Sequence, residues 1–285
     1  MVVRHETATV RRWGMTEETV VVGDMNIHVW KGGQGPPLLL LHGFGGDGLW
    51  TWRGQIRAFA AHHTVIIPDL LWFGGSGTTN GPYTLDRQTD AVIALMDHEG
   101  IARTDVVGIS YGGFITLSLD QRFPERVGRI VLVDSPGMAF QAADYSALLT
   151  RFKVASPTDL FVPTGPDGVR ALLDLAWVHP PWIPRPILRD LYKQMFSQHQ
   201  AAQRALIDDL LGRRDSAMAW TPSGPVLVVW GADDPVFPLA VGQRLAASVG
   251  APILVLPGAA HAPNLDQPEA FNLGVLRFLE GGTGL

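Results

Sequence analysis

Short apolar runs that do not alternate with polar residues constrain the fold of this chain more than any other feature of its sequence. Such runs recur at residues 38–41, 65–67, 105–109, 129–133, 226–230 and 253–256. A strand that is apolar on both faces is buried on both faces, which is typical of a parallel sheet covered by helices. Segments of helical length and period separate the runs, at residues 52–61, 85–99, 111–123, 240–249 and 269–280. The alternation predicts an α/β fold with a mostly parallel sheet flanked by helices.

The start of the chain follows a different pattern. Residues 19–22 and 27–30 are rich in β-branched side chains, and Gly23-Asp24 separates them. Gly and Asp at such a position are hairpin residues, so the chain is predicted to open with antiparallel strands.

The alternation also stops between residues 136 and 222, where no strand pattern is present. Prolines concentrate there, together with Trp177, Trp182, Tyr192 and Phe196. We therefore predict one core domain, residues 1–135 and 223–285, with a helical cap inserted at residues 136–222. A length of 285 residues fits one large α/β domain with an insertion.

Charge and composition exclude several classes of function. The net charge is −5, and Lys and Arg are scattered, so a nucleic-acid partner has no basic surface to bind. The chain has no cysteine, which removes disulfides, a thiol nucleophile and thiolate metal sites. We expect neither a metal nor a cofactor, and a small molecule as the only partner; the oligomeric state is not predicted.

The apolar segments are too short for targeting or membrane insertion. The first 14 residues contain no apolar run of signal-peptide length. No stretch reaches the roughly 18 uninterrupted apolar residues of a membrane span. A soluble, cytoplasmic protein is the expectation.

A catalytic motif follows the run at residues 105–109. Residues 108–112 read Gly-Ile-Ser-Tyr-Gly, a G-x-S-x-G pattern with Ser110 at its centre, and a helical segment starts directly after it. The glycines permit a turn in which a Cβ would collide with neighbouring backbone, and the turn exposes the serine hydroxyl at a helix N-terminus. The alternative is a serine that only caps the helix. The strand-turn-helix context favours a nucleophile.

A serine hydroxyl needs a base held by a carboxylate. His261 is the best candidate base, because it lies in a loop after the run at residues 253–256, where a parallel sheet places its ligands. Three carboxylates compete to hold it. Asp233 and Asp234 follow the run at residues 226–230, and Asp134 follows the run at residues 129–133. A carboxylate from either strand end could reach the same imidazole.

An oxyanion hole requires two backbone N–H groups aimed at the developing charge. Residues 42–46 read His-Gly-Phe-Gly-Gly after the run at residues 38–41, and their glycines let the main chain approach a carbonyl oxygen. The predicted donors are the N–H groups of Phe44 and Tyr111. His42 is predicted to order this loop by hydrogen bonding. Neither phosphate-binding glycine motif is present, which disfavours a nucleotide site.

Taken together, these motifs resemble the α/β-hydrolase superfamily over nearly the whole chain from about Val20 onward. The similarity is greatest to capped esterases and monoacylglycerol-lipase-like serine hydrolases. In those members the pattern G-x-x-D-x-x-x-P carries the acid, and Gly231 and Pro238 match it. The resemblance therefore selects Asp234 over Asp233.

The chain departs from the superfamily pattern in one loop. D-x-P-G-x-G-x-S usually follows the strand that ends here near Pro68, whereas Leu71 and Trp72 replace the proline and first glycine. A tryptophan there would narrow the pocket wall or make it more apolar. Trp72, Trp177 and Trp182 are predicted to contact substrate.

The leading functional prediction is a serine carboxylesterase or lipase-like hydrolase for esters with apolar acyl groups, because the predicted cap is aromatic and aliphatic. One alternative is hydrolysis of a carbon–carbon bond in a dienoate or β-diketone, for which Arg185 or Arg189 could bind a substrate carboxylate. Another is a ligand receptor with low turnover. Dehalogenase and epoxide-hydrolase relatives need an aspartate where Ser110 stands, which excludes them.

Overall fold

A mixed β-sheet runs through the centre of the protein, which we describe from a computed structural model covering residues 2–213 and 220–282. Its strands are β1 (Thr16–Val22), β2 (Met25–Gly33), β3 (Pro37–Leu41), β4 (Thr64–Pro68), β5 (Gly77–Thr78), β6 (Thr104–Ile109), β7 (Val127–Val133), β8 (Val226–Gly231) and β9 (Ile253–Leu256). The main path through the sheet is β1-β2-β4-β3-β6-β7-β8-β9, and β5 pairs with β2.

Helices cover the sheet and fill the region between β7 and β8. They are α1 (Val2–Arg12), α2 (Gly48–Trp52), α3 (Ile56–Phe59), α4 (Leu85–His98), α5 (Tyr111–Arg122), α6 (Ala142–Phe152), α7 (Pro157–Phe161), α8 (Pro166–Ala176), α9 (Arg185–Met195), α10 (Gln200–Gly212), α11 (Leu239–Val249), α12 (Pro263–Asp266) and α13 (Pro268–Leu279). Among the described residues, no helix is both long and apolar enough to cross a bilayer.

The predicted strands are confirmed, and so is the mostly parallel sheet. Strands β3, β4, β6, β7, β8 and β9 pair in parallel, whereas β1, β2 and β5 contribute the antiparallel pairs. Val22 pairs with Met25 across the predicted hairpin turn. Along β3, Leu39 and Leu41 pack into one apolar cluster and Leu38 and Leu40 into another. Burial on both faces explains why this strand has no polar alternation.

The single helix predicted at residues 52–61 is wrong. The structure has a short helix, α2, that ends at Trp52 and a second, α3, that begins at Ile56, with Gly54 in the break between them. Glycine disfavours a continuous helix, and the side chain of the next residue, Gln55, is buried and donates to the carbonyl oxygen of Asn264 at 2.7 Å. The hydrogen bond between Gln55 and Asn264 holds the chain in the break between the two helices. The helical spacing of the apolar residues does not reveal this break.

Helices α6 to α10 lie within the segment predicted to be an insertion. The structure has no strand in the described residues of that segment, residues 136–213 and 220–222. Their assignment as a separate cap, with boundaries at residues 136 and 222, stays a prediction.

The parallel strands end at one edge of the sheet, and their carboxyl ends lead into the loops that matter for function. Ser110 follows β6, Asp134 follows β7, Asp234 comes three residues after β8, and His261 comes after β9. Residues 42–46 follow β3, the parallel neighbour of β6. The topology therefore brings residues that are far apart in sequence to one place.

Candidate active site

Ser110 lies in a strained turn between β6 and α5. Its φ is +52°, a left-handed value that non-glycine residues rarely adopt. Its side chain makes no capping hydrogen bond to the helix, so the alternative role as a helix cap has no support in the geometry. The strain is held by surrounding structure, since Ser110 N–H donates to the Val133 carbonyl at 2.9 Å.

The glycines around Ser110 are required by close contacts. A Cβ on Gly112 would lie 2.7 Å from the carbonyl oxygen of His42 and would overlap the Leu41 carbonyl oxygen as well. A Cβ on Gly108 would overlap the side chain of Thr116. Helix α5 can approach β3 and β6 this closely only because both positions lack a side chain.

The structure brings Ser110, His261 and Asp234 into one hydrogen-bonded chain. His261 Nε2 lies 3.0 Å from Ser110 Oγ, and His261 Nδ1 lies 2.9 Å from Asp234 Oδ2. With the proton on Nδ1, His261 donates to the carboxylate and accepts from the serine hydroxyl. This is the arrangement in which an imidazole can remove the hydroxyl proton.

The structure also separates the three candidate acids. Asp233 is exposed, whereas Asp234 is buried and faces the imidazole. The second oxygen of Asp234, Oδ1, accepts from the N–H groups of Val236 and Phe237 at 2.7 and 3.1 Å. These bonds fix the carboxylate toward His261. Asp134 is buried beside the pair and makes no hydrogen bond to the imidazole.

Asp266, which belongs to no motif recognised in the sequence, supports the histidine loop. Its Oδ2 accepts from Ala260 N–H at 2.8 Å and from Val178 N–H at 3.1 Å. The loop also donates to the end of α8, through Ala262 N–H to the Ala176 carbonyl at 2.9 Å. The position of His261 is therefore coupled to the helices of the predicted insertion.

The loop after β3 lies directly against the serine. A Cβ on Gly43 would come within 3.0 Å of Ser110 Cβ. Phe44 N–H has no acceptor among the described residues, and Tyr111 is the first residue of α5, so its N–H has no intrahelical acceptor. Phe44 and Tyr111, which carry the two predicted oxyanion donors, line one cavity together with Ser110, and their rings pack edge-to-face at 4.8 Å.

His42 orders this loop through both ring nitrogens. Its Nδ1 donates to the Gly43 carbonyl at 2.7 Å, and its Nε2 accepts from Leu70 N–H at 2.9 Å. Complete burial lowers the pKa of His42 and keeps the ring neutral, as acceptance at Nε2 requires.

Replacing His42 with alanine should lower kcat for the ester hydrolysis predicted from the sequence by about 10- to 100-fold with a smaller change in KM, because a misplaced oxyanion donor would act mainly on the transition state. Steady-state kinetics would measure this. His62→Ala is the matched control. The His62 side chain is half-exposed and pairs with Glu280, and neither residue belongs to the loop at residues 42–46. Equal kcat in wild type and His42→Ala would contradict the assigned role.

A cavity of about 390 Å³ opens at Ser110. Its wall is mostly apolar, with charged side chains also present. The described residues that line it include Phe44, Tyr111, Phe114, Leu117, Phe140, Leu148, Phe161, Ile207, Leu210, Leu211, Trp220 and Phe237, together with Asp86, Arg122 and Arg213. Helices α5, α6 and α10 supply much of the wall, so it combines the core with the predicted insertion.

The three tryptophans predicted to contact substrate, Trp72, Trp177 and Trp182, do not line this cavity. Trp72 is buried and packs edge-to-face on Tyr83 at 4.8 Å. Trp177 packs against Trp50, and Trp182 is 84% exposed. Arg185 is exposed and pairs with Asp167, and neither it nor Arg189 lines the cavity. Aromatic content in the sequence therefore does not identify the residues that line this cavity.

Two carboxylates and one imidazole lie close enough together to be examined as ligands of a metal ion. One ligand atom each of Asp134, Asp234 and His261 lies within 4.8 Å of the others. Both ring nitrogens of His261, however, already contact Ser110 and Asp234. The geometry fits proton transfer better than metal ligation.

Comparisons with known proteins show which family the sequence matches. A family model described as "alpha/beta hydrolase fold" matches residues 36–268. The chain is 32% identical over 255 residues to the dihydrolipoyllysine-residue acetyltransferase component of an acetoin cleaving system from Pseudomonas putida. That match covers 87% of this chain but 65% of the relative, less than two thirds of its length.

Other relatives match over nearly their full length. A 3-oxoadipate enol-lactonase from Acinetobacter baylyi is 29% identical, with 91% of this chain and 95% of the relative covered. A 2-hydroxy-6-oxo-6-phenylhexa-2,4-dienoate hydrolase from Burkholderia cepacia is 28% identical, with 92% and 93% covered. A crystal structure from Acinetobacter baumannii assigned as a lipase superposes with a TM-score of 0.83 at 25% identity, covering 98% of this chain and 94% of that one.

Proposed function

The chain belongs to the alpha/beta hydrolase family, and we propose that it is a serine carboxylesterase that cleaves esters with apolar acyl groups. One observation carries the proposal: Ser110 Oγ, His261 and Asp234 form a continuous hydrogen-bonded chain with distances of 3.0 and 2.9 Å. Relatives that hydrolyse a lactone or are assigned as lipases support the same class of reaction.

The reaction follows from this geometry. His261 Nε2 takes the proton as Ser110 Oγ attacks the ester carbonyl carbon, and the carbonyl electron pair moves onto oxygen. The N–H groups of Phe44 and Tyr111 bind that oxyanion. The protonated imidazole gives its proton to the alcohol as the ester C–O bond breaks, which leaves the acyl group on Ser110. His261 Nε2 then takes a proton from water as the water oxygen attacks the acyl carbon, and that proton passes to Ser110 Oγ as the carboxylic acid leaves. Asp234 stabilises the imidazolium throughout.

The cavity wall supports an apolar acyl group. Aromatic and aliphatic side chains from α5, α6 and α10 surround the space next to the serine. Burial of an acyl chain there is favourable by roughly 0.8 kcal/mol per CH₂ removed from water. Longer acyl chains should therefore gain kcat/KM until the cavity is full.

Replacing Leu210 with tryptophan should lower kcat/KM for long-chain p-nitrophenyl esters by more than about 10-fold, because the larger ring occupies cavity volume. Acetate and propionate esters should change by less than about threefold. Leu273→Trp is the control, since Leu273 is 54% exposed on α13. An equal loss for short and long esters in Leu210→Trp would show that the cavity does not hold the acyl chain.

A second candidate is hydrolysis of a carbon–carbon bond in a dienoate, favoured by the phenylhexadienoate hydrolase relative. Arg122 and Arg213 line the cavity and could attract a substrate carboxylate. Both already pair with aspartates, Arg122 with Asp90 at 2.6 Å and Arg213 with Asp86 at 2.8 Å. A carboxylate would have to compete with those ion pairs, so the ester reaction is the better supported.

An activity panel separates the candidates. Wild-type protein is tested on p-nitrophenyl esters graded by acyl length and on a ring-fission dienoate, with covalent labelling of Ser110 by a fluorophosphonate in parallel. Ester turnover that peaks at intermediate or long chains supports the proposal. Dienoate cleavage with no ester activity would replace it with the second candidate, and labelling without turnover would favour a ligand receptor.

A further inference from the structure

A second buried carboxylate stands beside the proposed triad. Asp134 directly follows β7, whose neighbour in the sheet is β8. Its main chain completes the pairing of the two strands, because Asp134 N–H donates to the Val229 carbonyl at 3.0 Å. Its Oδ1 accepts from Gly231 N–H at 2.9 Å. Two bonds thus anchor Asp134 at the strand end that leads to Asp234.

The other oxygen, Asp134 Oδ2, has no hydrogen-bond partner among the described residues, although the side chain is completely buried. A buried polar atom without a partner is costly and rare in native structures. The bond to Gly231 does not explain why an aspartate stands at this position, because an asparagine would accept a hydrogen bond from the same N–H. One ligand atom each of Asp134, Asp234 and His261 lies within 4.8 Å of the others.

The surroundings of Asp134 favour its neutral form while Asp234 is ionised. Burial raises the pKa of Asp134 well above its usual range, and the negative charges of Asp234 and, less strongly, Asp266 add to that effect. Removing the charge of Asp234 would remove one of the causes that raise the pKa of Asp134. Asp134 could then release its proton to solvent and become a carboxylate near the imidazole.

We propose that Asp134 is a reserve acid for His261, a positioning residue that accepts the hydrogen bond from His261 Nδ1 when the carboxylate of Asp234 is absent. This inference depends on the serine-hydrolase function proposed above. In such a variant, Ser110 still passes its proton to His261 Nε2, and the Nδ1 proton stays on the ring. Asp134 supplies only the negative charge that holds the ring and stabilises the imidazolium.

The test is a double-variant cycle on Asp134 and Asp234. Asp134→Asn keeps the shape and the acceptor for Gly231 N–H but cannot become a carboxylate, and by itself should lower kcat/KM by less than about 10-fold. Asp234→Ala should lower it about 10²-fold, and the double variant about 10⁴-fold, the size of loss reported for removal of triad carboxylate function. The Asp134→Asn effect should thus be at least about 10 times larger when Asp234 is absent.

Equal effects of Asp134→Asn in both backgrounds would overturn the proposal, because a reserve acid contributes to catalysis only when the carboxylate of Asp234 is absent. Thermal melting of every variant checks that each is folded. Should Asp234→Ala fail to fold, Asp234→Ser replaces it, since a hydroxyl can still accept from Val236 N–H. The effect of Asp134→Asn should again be at least about 10 times larger in the Asp234→Ser background than in the wild type. Ester turnover retained by Ser110→Ala would refute the proposed function itself, which separates the two failures.

Discussion

Replacing Ser110 with alanine should lower kcat/KM for p-nitrophenyl esters by about 10⁵-fold or more. The change removes the oxygen proposed to attack the ester while leaving the proposed oxyanion donors, His261 and the cavity in place. Loss of a triad serine reduces kcat by about 10⁶-fold in a serine protease, and the remaining catalysis comes from the oxyanion hole and substrate binding. Steady-state kinetics on the preferred ester, with extensive purification to remove contaminating esterases, measures the loss.

A matched serine tests whether this loss is specific. Ser156 precedes helix α7 and caps it, accepting from Thr158 N–H at 3.2 Å. Ser156→Ala should cost about 1 kcal/mol of stability, as loss of a helix cap does, and leave turnover within about twofold. Ser110 makes no such cap, so its variant should show the opposite pattern, with activity lost and stability kept. Turnover retained by Ser110→Ala would rule out the nucleophile.

Much of this site is readable from the sequence, because local patterns encode it. Apolar runs without alternation identify the parallel strands, and a parallel sheet brings their carboxyl ends to one edge. Ser110 directly follows one such run and His261 lies in the loop after another, so their positions imply that they meet. The choice between Asp134 and Asp234 was left open by strand position alone, since β7 and β8 are neighbours in the sheet.

The lining of the cavity beside Ser110 could not be predicted in the same way. Its wall includes Leu148 on α6 and Ile207 on α10, apolar residues whose helical spacing looks the same whether a helix packs on a neighbour or borders a cavity. The aromatic content of the predicted insertion suggested Trp177 and Trp182. The direction each side chain takes depends on how the helices pack on the core, which is not a local property of the sequence.

The short contacts of helix α5 also depend on tertiary structure, and they lead to the second large effect. Replacing Gly112 with alanine should destabilise the protein by about 3 kcal/mol or more. The new Cβ would meet the main chain at the end of β3, including the His42 carbonyl oxygen at 2.7 Å. A flexible side chain could rotate away from such a contact, but two successive backbone carbonyls of a central strand cannot.

The same clash should reduce activity, because it would move helix α5, which follows Ser110, away from the loop that carries Phe44. Relief of the overlap requires α5 to move away from β3, and that movement carries Ser110 and Tyr111 N–H away from Phe44 N–H. We expect kcat to fall by more than about 10²-fold in whatever fraction of the variant remains folded, since misplacement near 1 Å at a reacting centre can cost that much. Circular dichroism melting and ester kinetics on the same preparation measure the two effects together.

Gly212→Ala is the control for the Gly112 substitution. Gly212 is the last residue of α10, and a Cβ there would meet no atom within 4 Å among the described residues. Alanine favours a helix over glycine by up to about 1 kcal/mol, so this variant should melt at the wild-type temperature or slightly above it. The Gly112 variant should melt about 6 to 12 °C lower, given roughly 2 to 4 °C per kcal/mol for a chain near this size. Wild-type melting and wild-type kcat in Gly112→Ala would show that α5 does not need this close approach to β3 to form the site.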